Sequence, residues 1–192
     1  MSARADGLPL LELGSRKKLR SWLESNHASS TGVLLAIGKK GNDVTTLTYE
    51  DAVEEALCFG WIDSTARRLD AGRYTVRFTP RKPNSVWART NKERVERLIA
   101  GGLMTPAGLE SVEAAKANGS WNSLDHVEDL VVPDDLATAL AVEPAAEEAF
   151  AAMPASARML ALHWVTNAKR PDTRSRRVAE TVRAAAEGRR PV

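Results

Sequence analysis

Aromatic, cationic and small polar side chains are concentrated in two stretches of the sequence. The first runs from Cys58 to Ser64 and reads CFGWIDS, and the second runs from Phe78 to Trp87 and reads FTPRKPNSVW. An apolar core requires hydrophobic periodicity, whereas here indole rings alternate with guanidinium and hydroxyl groups. This mixture of side chains suits a pocket for an anion or another small molecule.

The two stretches combine cationic groups with aromatic planes. Arg81 offers a planar fork of donors that fits a carboxylate or a phosphate, and Lys82 adds positive charge. Trp61 and Trp87 offer rings for stacking or for cation–π contacts. The residues that we predict to bind a ligand are Trp61, Asp63, Arg81, Lys82, Ser85, Trp87 and Asn91.

Two other interpretations of the same residues stay open. In the first, Asp63 pairs with Arg81 or Arg67 inside the fold, and the tryptophans fill the core. In the second, Asp63, Arg81, Ser85 and Asn91 form the active site of an enzyme such as a hydrolase. A general base in such a site would need a perturbed pKa and hydrogen-bond reach to its target.

Recognisable catalytic and metal-binding patterns are missing from the sequence. It contains no P-loop, no GxGxxG and no GxSxG motif. Cys58 precedes Gly60 at the end of a predicted helix, where the helix dipole disfavours a thiolate, so we expect a buried thiol there. The three histidines, His27, His126 and His163, lack metal-ligand spacing. We therefore expect no catalytic residue, no metal and no cofactor.

The composition is that of a globular protein in a reducing compartment. Of the 192 residues, 43% are hydrophobic and 27% are charged, so bulk disorder is not expected. A single cysteine excludes an internal disulfide framework. Residues 1–13 lack an apolar signal core, and no run approaches the roughly 18 apolar residues that a membrane helix needs. We expect a cytoplasmic protein with no membrane span.

Charge is distributed unevenly along the chain, although the net charge is only +2. Residues 61–100 carry ten Lys and Arg against four Asp and Glu, residues 101–160 carry two against ten, and residues 161–192 carry eight against three. These segments can attract one another within the fold, or they can bind an anionic partner. Nucleic-acid binding through the basic middle and the tail stays open as a further alternative function. Nucleic acid is not the expected partner, because only Trp164 lies near the basic residues 169–177 as a stacking group.

Periodicity and capping residues predict an α+β fold. The predicted helices span residues 16–24, 48–60, 91–100, 105–118, 135–141, 144–152, 155–167 and 172–188, with a buried strand at 32–37, a turn at 39–43, and strand-like runs at 62–69 and 73–79. Ser15, Thr48 and Thr105 are the predicted helix caps. We expect a small antiparallel sheet with packed helices in residues 15–121, followed by an all-helical subdomain in residues 133–188.

Several motifs resemble those of the YdeI/OmpD-associated, or bacteriocin-protection, family. The similar residues are the two stretches above, Asn91-Lys92, Gly102 to Gly108, Ala115-Lys116, Gly119, Trp121, Trp164, Ala168 to Arg170, Thr173-Arg174 and Arg177. The resemblance extends from Trp22 to Arg177. One departure is Ala88, which stands where many relatives are expected to carry Ser or Thr. A ligand contact made by that hydroxyl would be missing in this chain.

The resemblance also implies a function. The family is bacterial, is linked to protection against antimicrobial peptides and envelope stress, and has no accepted enzymatic activity, cofactor or catalytic residues. It implies a non-catalytic, cytoplasmic stress or bacteriocin-resistance protein. Such a protein would bind a small anionic or peptide ligand, or a protein partner, and its oligomeric state is left open.

Overall fold

The computed structural model describes residues 7–39, 41 and 45–190. Residues 40 and 42–44 of the predicted turn, and residues 1–6 at the start of the chain, lie outside this range. Contacts between Cα atoms divide the chain into two units, the first ending at Asn122 and the second beginning at Ser123. The predicted domain bounds, 15–121 and 133–188, stay predictions.

A four-stranded sheet forms the centre of the first unit. Its strands are β1 (Leu10–Leu11), β2 (Val33–Gly38), β3 (Trp61–Arg68) and β4 (Arg73–Pro80), in the order β1-β2-β4-β3. The pairs β2–β4 and β3–β4 are antiparallel, whereas β1 runs parallel to β2. The predicted α+β class is confirmed. The prediction missed β1, because two residues are too few to show a periodicity.

Alternation along β4 decides which side chains enter the core. Val76 and Phe78 are buried, and Val76 lies opposite Leu35 of β2. Thr75 points to the other face of the sheet, as predicted, but it is also buried. Its hydroxyl donates to the Arg67 carbonyl at 3.3 Å, which satisfies the polar group in its buried position.

The described part of the first unit contains four helices. They are α1 (Arg16–Asn26), α2 (Tyr49–Cys58), α3 (Arg89–Ala100) and α4 (Pro106–Ala117). All but α3 begin directly after a capping side chain. The predicted caps Ser15, Thr48 and Thr105 each accept a hydrogen bond from a backbone N–H of the first turn. Thr48 forms a reciprocal capping box with Asp51. Helix α3 starts at Arg89, two residues before the predicted start.

A buried carboxylate joins α1 to α2. The Glu55 side chain is 3% exposed and accepts from Arg16 Nε at 2.7 Å and from Arg20 Nη1 at 3.0 Å. Burying one charge is tolerated because two guanidinium groups neutralise it and donate to both of its oxygens. The first helix is thereby held on the second, above the sheet.

The second unit is helical in the residues described. It contains α5 (Asp125–Glu128), α6 (Asp134–Ala141), α7 (Pro144–Ala152), α8 (Ala155–Thr166) and α9 (Pro171–Ala186). The region between residues 120 and 132, which we expected to be irregular, contains the short helix α5. The core residues of the unit are Val127, Leu136, Leu140, Ala146, Phe150, Ala161, Leu162, Val165, Val178, Val182 and Ala185.

Several basic residues near the carboxyl end of the chain have partners within the second unit. Arg174 makes two hydrogen bonds to Asp135, and Arg189 pairs with Glu180. Arg177 lies over the Trp164 ring and donates to the Trp164 carbonyl. The contact between Arg174 and Asp135 agrees with the interpretation that the oppositely charged segments attract one another within the fold. None of the helices in the described residues combines the length and the hydrophobicity that a membrane-spanning helix requires.

Candidate functional site

A groove of ≈ 450 Å³ opens on the surface of the first unit. This volume lies in the lower part of the range of roughly 300–1,000 Å³ that is typical of small-molecule sites. Four parts of the chain form its walls. Its lining residues are His27 and Ala28 after α1, Phe59, Gly60 and Trp61 at the start of β3, Pro80, Arg81, Lys82, Pro83 and Trp87 after β4, and Ala107, Glu110, Ser111 and Ala114 on α4.

Gly60 allows α4 to approach the turn between α2 and β3. Its φ is +71°, in the left-handed region that glycine adopts most readily. A Cβ atom at this position would lie 3.0 Å from the Ala107 carbonyl oxygen and 3.2 Å from Ser111 Cβ. The glycine that the sequence predicts as a helix stop therefore also keeps the groove narrow.

The start of helix α4 contacts the carboxyl end of α2 directly. Thr105 donates to the Cys58 carbonyl oxygen twice, from its hydroxyl at 2.6 Å and from its backbone N–H at 3.1 Å. A Cβ on Gly108 would lie 2.3 Å from that same oxygen, closer than packed atoms tolerate. Only glycine lets the two backbones meet at this point, and the contact sets the position of the α4 wall.

Hydrogen bonds to backbone atoms fix the loop that carries Arg81. The Arg81 N–H donates to the Gly60 carbonyl at 2.9 Å, which ties the loop to the preceding turn. The Ser85 N–H donates to the Lys82 carbonyl at 2.9 Å, which closes a turn within the loop. The Asn118 side-chain amide donates to the Pro83 carbonyl at 2.8 Å, which fastens the loop to the end of α4.

Arg81 presents a largely unused guanidinium group to the groove. The group lies over the Trp87 ring, 3.5 Å from its centroid, and Nη1 donates to the Val86 carbonyl at 3.3 Å. Among the described residues, this is the side chain's only hydrogen bond, although a guanidinium has five N–H groups. Its Nε is buried without a partner.

Burial also affects the electrostatics of Arg81. Desolvation lowers the pKa of Arg81, while the negative charge of Asp63 acts in the opposite direction. The guanidinium remains charged at neutral pH, because the ordinary pKa of arginine is far above 7. No carboxylate of the described residues is in salt-bridge contact with it. An anion in the groove would supply the missing counter-charge.

Four of the predicted site residues line this groove: Trp61, Arg81, Lys82 and Trp87. The two indole rings are each only 1% exposed, so they form walls rather than open stacking platforms. Trp61 donates from Nε1 to the His27 carbonyl at 3.2 Å, and Trp87 packs against Trp121 with 4.9 Å between the ring centroids. Their burial agrees with the alternative in which the tryptophans belong to the core.

The remaining predicted site residues have other surroundings. Asp63 accepts a hydrogen bond of 2.6 Å from the Tyr49 hydroxyl, and Asn91 accepts from Arg94 at 2.9 Å. Ser85 lies in the turn after Lys82. None of Asp63, Ser85 and Asn91 is among the described residues that line the groove. Of the four residues of the hydrolytic alternative, only Arg81 is among the described residues that line the groove.

Sequence reasoning missed the contribution of α4 and of the end of α1. Glu110 and Ser111 on α4 line the groove, as does His27. The Nδ1 atom of His27 lies 2.9 Å from the Leu23 carbonyl, a contact in which the nitrogen is the donor. The available sequence signal was that α4 carries small residues at Ala107, Ser111 and Ala114. Nothing in the sequence showed that this side of α4 lies beside the loop that carries Arg81.

Cys58 is a free, buried thiol, as predicted. Burial raises the pKa of Cys58 to about 11, and the charge of Glu55 adds to the effect.

A smaller cavity of ≈ 190 Å³ is lined by Glu12 and Arg73, among other residues. Those two side chains are already paired with each other at 2.9 Å. This cavity therefore has fewer unpaired charged groups that could bind a ligand than the groove has.

Two family models match the chain. The model described as Bacteriocin-protection, YdeI or OmpD-Associated matches residues 129–188, and the model described as Domain of unknown function (DUF8412) matches residues 11–111. No curated protein and no solved structure matches the chain. The resemblance to the bacteriocin-protection family is confirmed by the match in the second unit.

The motifs that resemble the bacteriocin-protection family lie partly within one match and partly within the other. Both the Cys58–Ser64 stretch and the Phe78–Trp87 stretch fall within residues 11–111, whereas the residues from Trp164 to Arg177 fall within residues 129–188. The chain therefore belongs to the DUF8412 family, whose model covers more than half of its 192 residues, and it carries a bacteriocin-protection, YdeI or OmpD-associated domain after that match.

Proposed function

We propose that the protein binds a small anionic or peptide ligand in the groove beside Arg81 and thereby protects a bacterial cell against antimicrobial peptides, without catalysing a reaction. The unsatisfied guanidinium of Arg81 carries this proposal. Its charge faces a groove, its Nε has no partner among the described residues, and no carboxylate of those residues is in contact with it. A buried charge of this kind is stabilised by a ligand of opposite sign.

The protective role is supported by the bacteriocin-protection domain at residues 129–188.

A cytoplasmic location is part of the proposal. It is supported by the single cysteine, since a chain with one cysteine needs no oxidising compartment for an internal disulfide. Binding without catalysis is supported by the positions of Asp63 and Ser85, which are not among the groove's described lining residues.

The first test compares Arg81→Ala with Arg68→Ala, an exposed arginine on β3. Trialanine and inorganic phosphate are titrated separately against each protein, and the indole N–H signals of Trp61 and Trp87 are followed by NMR. We expect Arg81→Ala to abolish the response to both probes while the circular dichroism spectrum and melting curve stay close to those of the wild type. Arg68→Ala should bind as the wild type does.

Cells that express each variant are then challenged with a bacteriocin. Wild type and Arg68→Ala should protect the cells, and Arg81→Ala should not. Equal protection by Arg81→Ala would show that the groove is not the working site. Mass spectrometry of trialanine after incubation with the protein should return the intact peptide, and cleavage would favour the hydrolytic alternative instead.

A further inference from the structure

The two walls of the groove carry opposite charges. Arg81 and Lys82 lie on the loop after β4, while Glu110 projects from α4. Lys82 and Glu110 are both exposed. Neither has an ion-pair partner among the described residues, so the groove contains cationic groups and a carboxylate that do not neutralise each other by contact.

Opposite charges on two walls of a groove attract some anions more than others. Inorganic phosphate is a mixture of monoanion and dianion near pH 7 and has no positive group, so Glu110 would repel it while Arg81 attracts it. A ligand with a carboxylate at one end and an ammonium group at the other meets a complementary charge at each wall. Specificity commonly arises from such a combination of attraction for one ligand and repulsion of another.

The geometry of the cationic wall favours a carboxylate at that end of the ligand. The Arg81 guanidinium carbon lies 3.5 Å from the centroid of the Trp87 ring, and its Nη1 already donates to the Val86 carbonyl. The unused N–H groups therefore have a fixed direction, which suits the planar, two-oxygen geometry of a carboxylate. The Lys82 ammonium adds charge without a fixed direction.

From this placement we infer that the natural ligand is a zwitterion, a short peptide or an amino acid, whose free carboxylate binds Arg81 and whose ammonium group faces Glu110. The inference rests on the proposed function, since it specifies the ligand of the same groove. The lining residues Ala107 and Ala114 are small, so the space between the charged walls is left to the ligand.

The test uses trialanine, its carboxyl-terminal amide, its N-acetyl derivative and inorganic phosphate, each titrated against the wild-type protein by NMR. Trialanine should bind, and amidation or acetylation should each weaken binding by about tenfold or more, the loss expected for one charge-assisted hydrogen bond. Phosphate should bind more weakly than trialanine.

The Glu110→Gln variant then separates this inference from the proposed function. It should bind trialanine less tightly and phosphate more tightly than the wild type, because the same carboxylate attracts one ligand and repels the other. Glu113→Gln is the matched control, since Glu113 lies on the same helix but pairs with Lys116 at 2.9 Å and does not line the groove. It should change neither affinity.

The possible outcomes are distinguishable. If phosphate or acetyl-trialanine binds as tightly as trialanine and Glu110→Gln has no effect, the zwitterion inference is wrong, while the anion-binding function stands. If no probe shifts the Trp61 and Trp87 signals, both are wrong.

Discussion

The guanidinium carbon of Arg81 lies 3.5 Å from the centroid of the Trp87 ring. Trp87 in turn packs against Trp121, and its own side chain is 1% exposed. Since the ring cannot turn without disturbing the core, the guanidinium plane above it has one preferred orientation. The core of the first unit thus sets the direction in which Arg81 offers its free donors to the groove.

Arg81→Lys tests whether this orientation matters beyond the charge. Lysine keeps the positive charge but is a point donor that does not lie flat on the ring. We expect the affinity for trialanine to fall by about tenfold, with little change in the melting temperature. The measurement is an NMR titration against wild type, with Arg68→Lys as the control. Unchanged affinity would mean that charge alone is sufficient.

The hydrogen bond between Tyr49 and Asp63 makes a pH-dependent contribution to stability. Burial and, next, the hydrogen bond to Asp63 raise the pKa of Tyr49 to about 12. In the unfolded chain this phenol ionises near pH 10. The stabilisation is therefore complete below about pH 10 and is lost as the pH rises towards about 12, because the unfolded state releases the proton first.

Ultraviolet absorption of tyrosinate measures this pKa. The chain has two tyrosines, so a Tyr74→Phe background leaves Tyr49 as the sole reporter. In that background, Asp63→Asn should lower the midpoint, because the negative charge that disfavours tyrosinate is removed. A midpoint near pH 10 in the protein that retains Asp63 would contradict the hydrogen bond.

Gly108→Ala should destabilise the first unit. The new Cβ would lie 2.3 Å from the Cys58 carbonyl oxygen, so α4 must move and its bonds from Thr105 must weaken. Alanine favours a helix over glycine by about 1 kcal/mol, which works against the clash. We expect the clash to dominate, with a net loss of roughly 1–3 kcal/mol in the free energy of unfolding.

Chemical denaturation followed by tryptophan fluorescence measures this loss, since four of the five tryptophans lie in the first unit. Gly14→Ala is the control, because a Cβ there meets nothing within 4 Å. Equal stability of the two variants would show that the contact between α4 and Cys58 is looser than described.

Ala88→Ser should stabilise the protein. Ala88 is the N-cap residue of α3 and makes no side-chain cap hydrogen bond. The N–H of Asn91 already donates to the Ala88 carbonyl at 2.9 Å, so a serine hydroxyl at this position would accept from the N–H of Thr90, a gain of about 1 kcal/mol for a typical cap. Thermal unfolding measures the gain, and Ala88→Val, which offers no acceptor, is the control.

If Ala88→Ser raises the melting temperature without changing the affinity for trialanine, the hydroxyl expected in relatives serves as a helix cap and not as a ligand contact. A gain in affinity without a gain in stability would favour the ligand contact.

Local signals in the sequence were sufficient for most of the secondary structure. Thr48 and Thr105 mark helix starts because a hydroxyl can satisfy the N–H groups of the next turn, and both act as caps in the structure. The alternation of residues 73–79 identified β4 because it reflects a pleat with one buried face. These features depend only on neighbours a few residues away.

The site itself was predicted in part, because its geometry depends on distant contacts. Arg81, Lys82, Trp61 and Trp87 were identified by residue type, and they do line one groove. Glu110 was missed, because α4 reaches the groove only through contacts such as Thr105 with Cys58, which are 47 positions apart. Residue type also does not show that an indole ring is buried, which depends on the packing of the whole unit.

The bond from Asn118 to the Pro83 carbonyl has a kinetic consequence. Since it holds the loop around Arg81 against α4 before any ligand arrives, the incoming molecule need not order that segment. Association should then proceed at a rate set by diffusion and charge, and differences between ligands should appear mainly in how long each one stays bound.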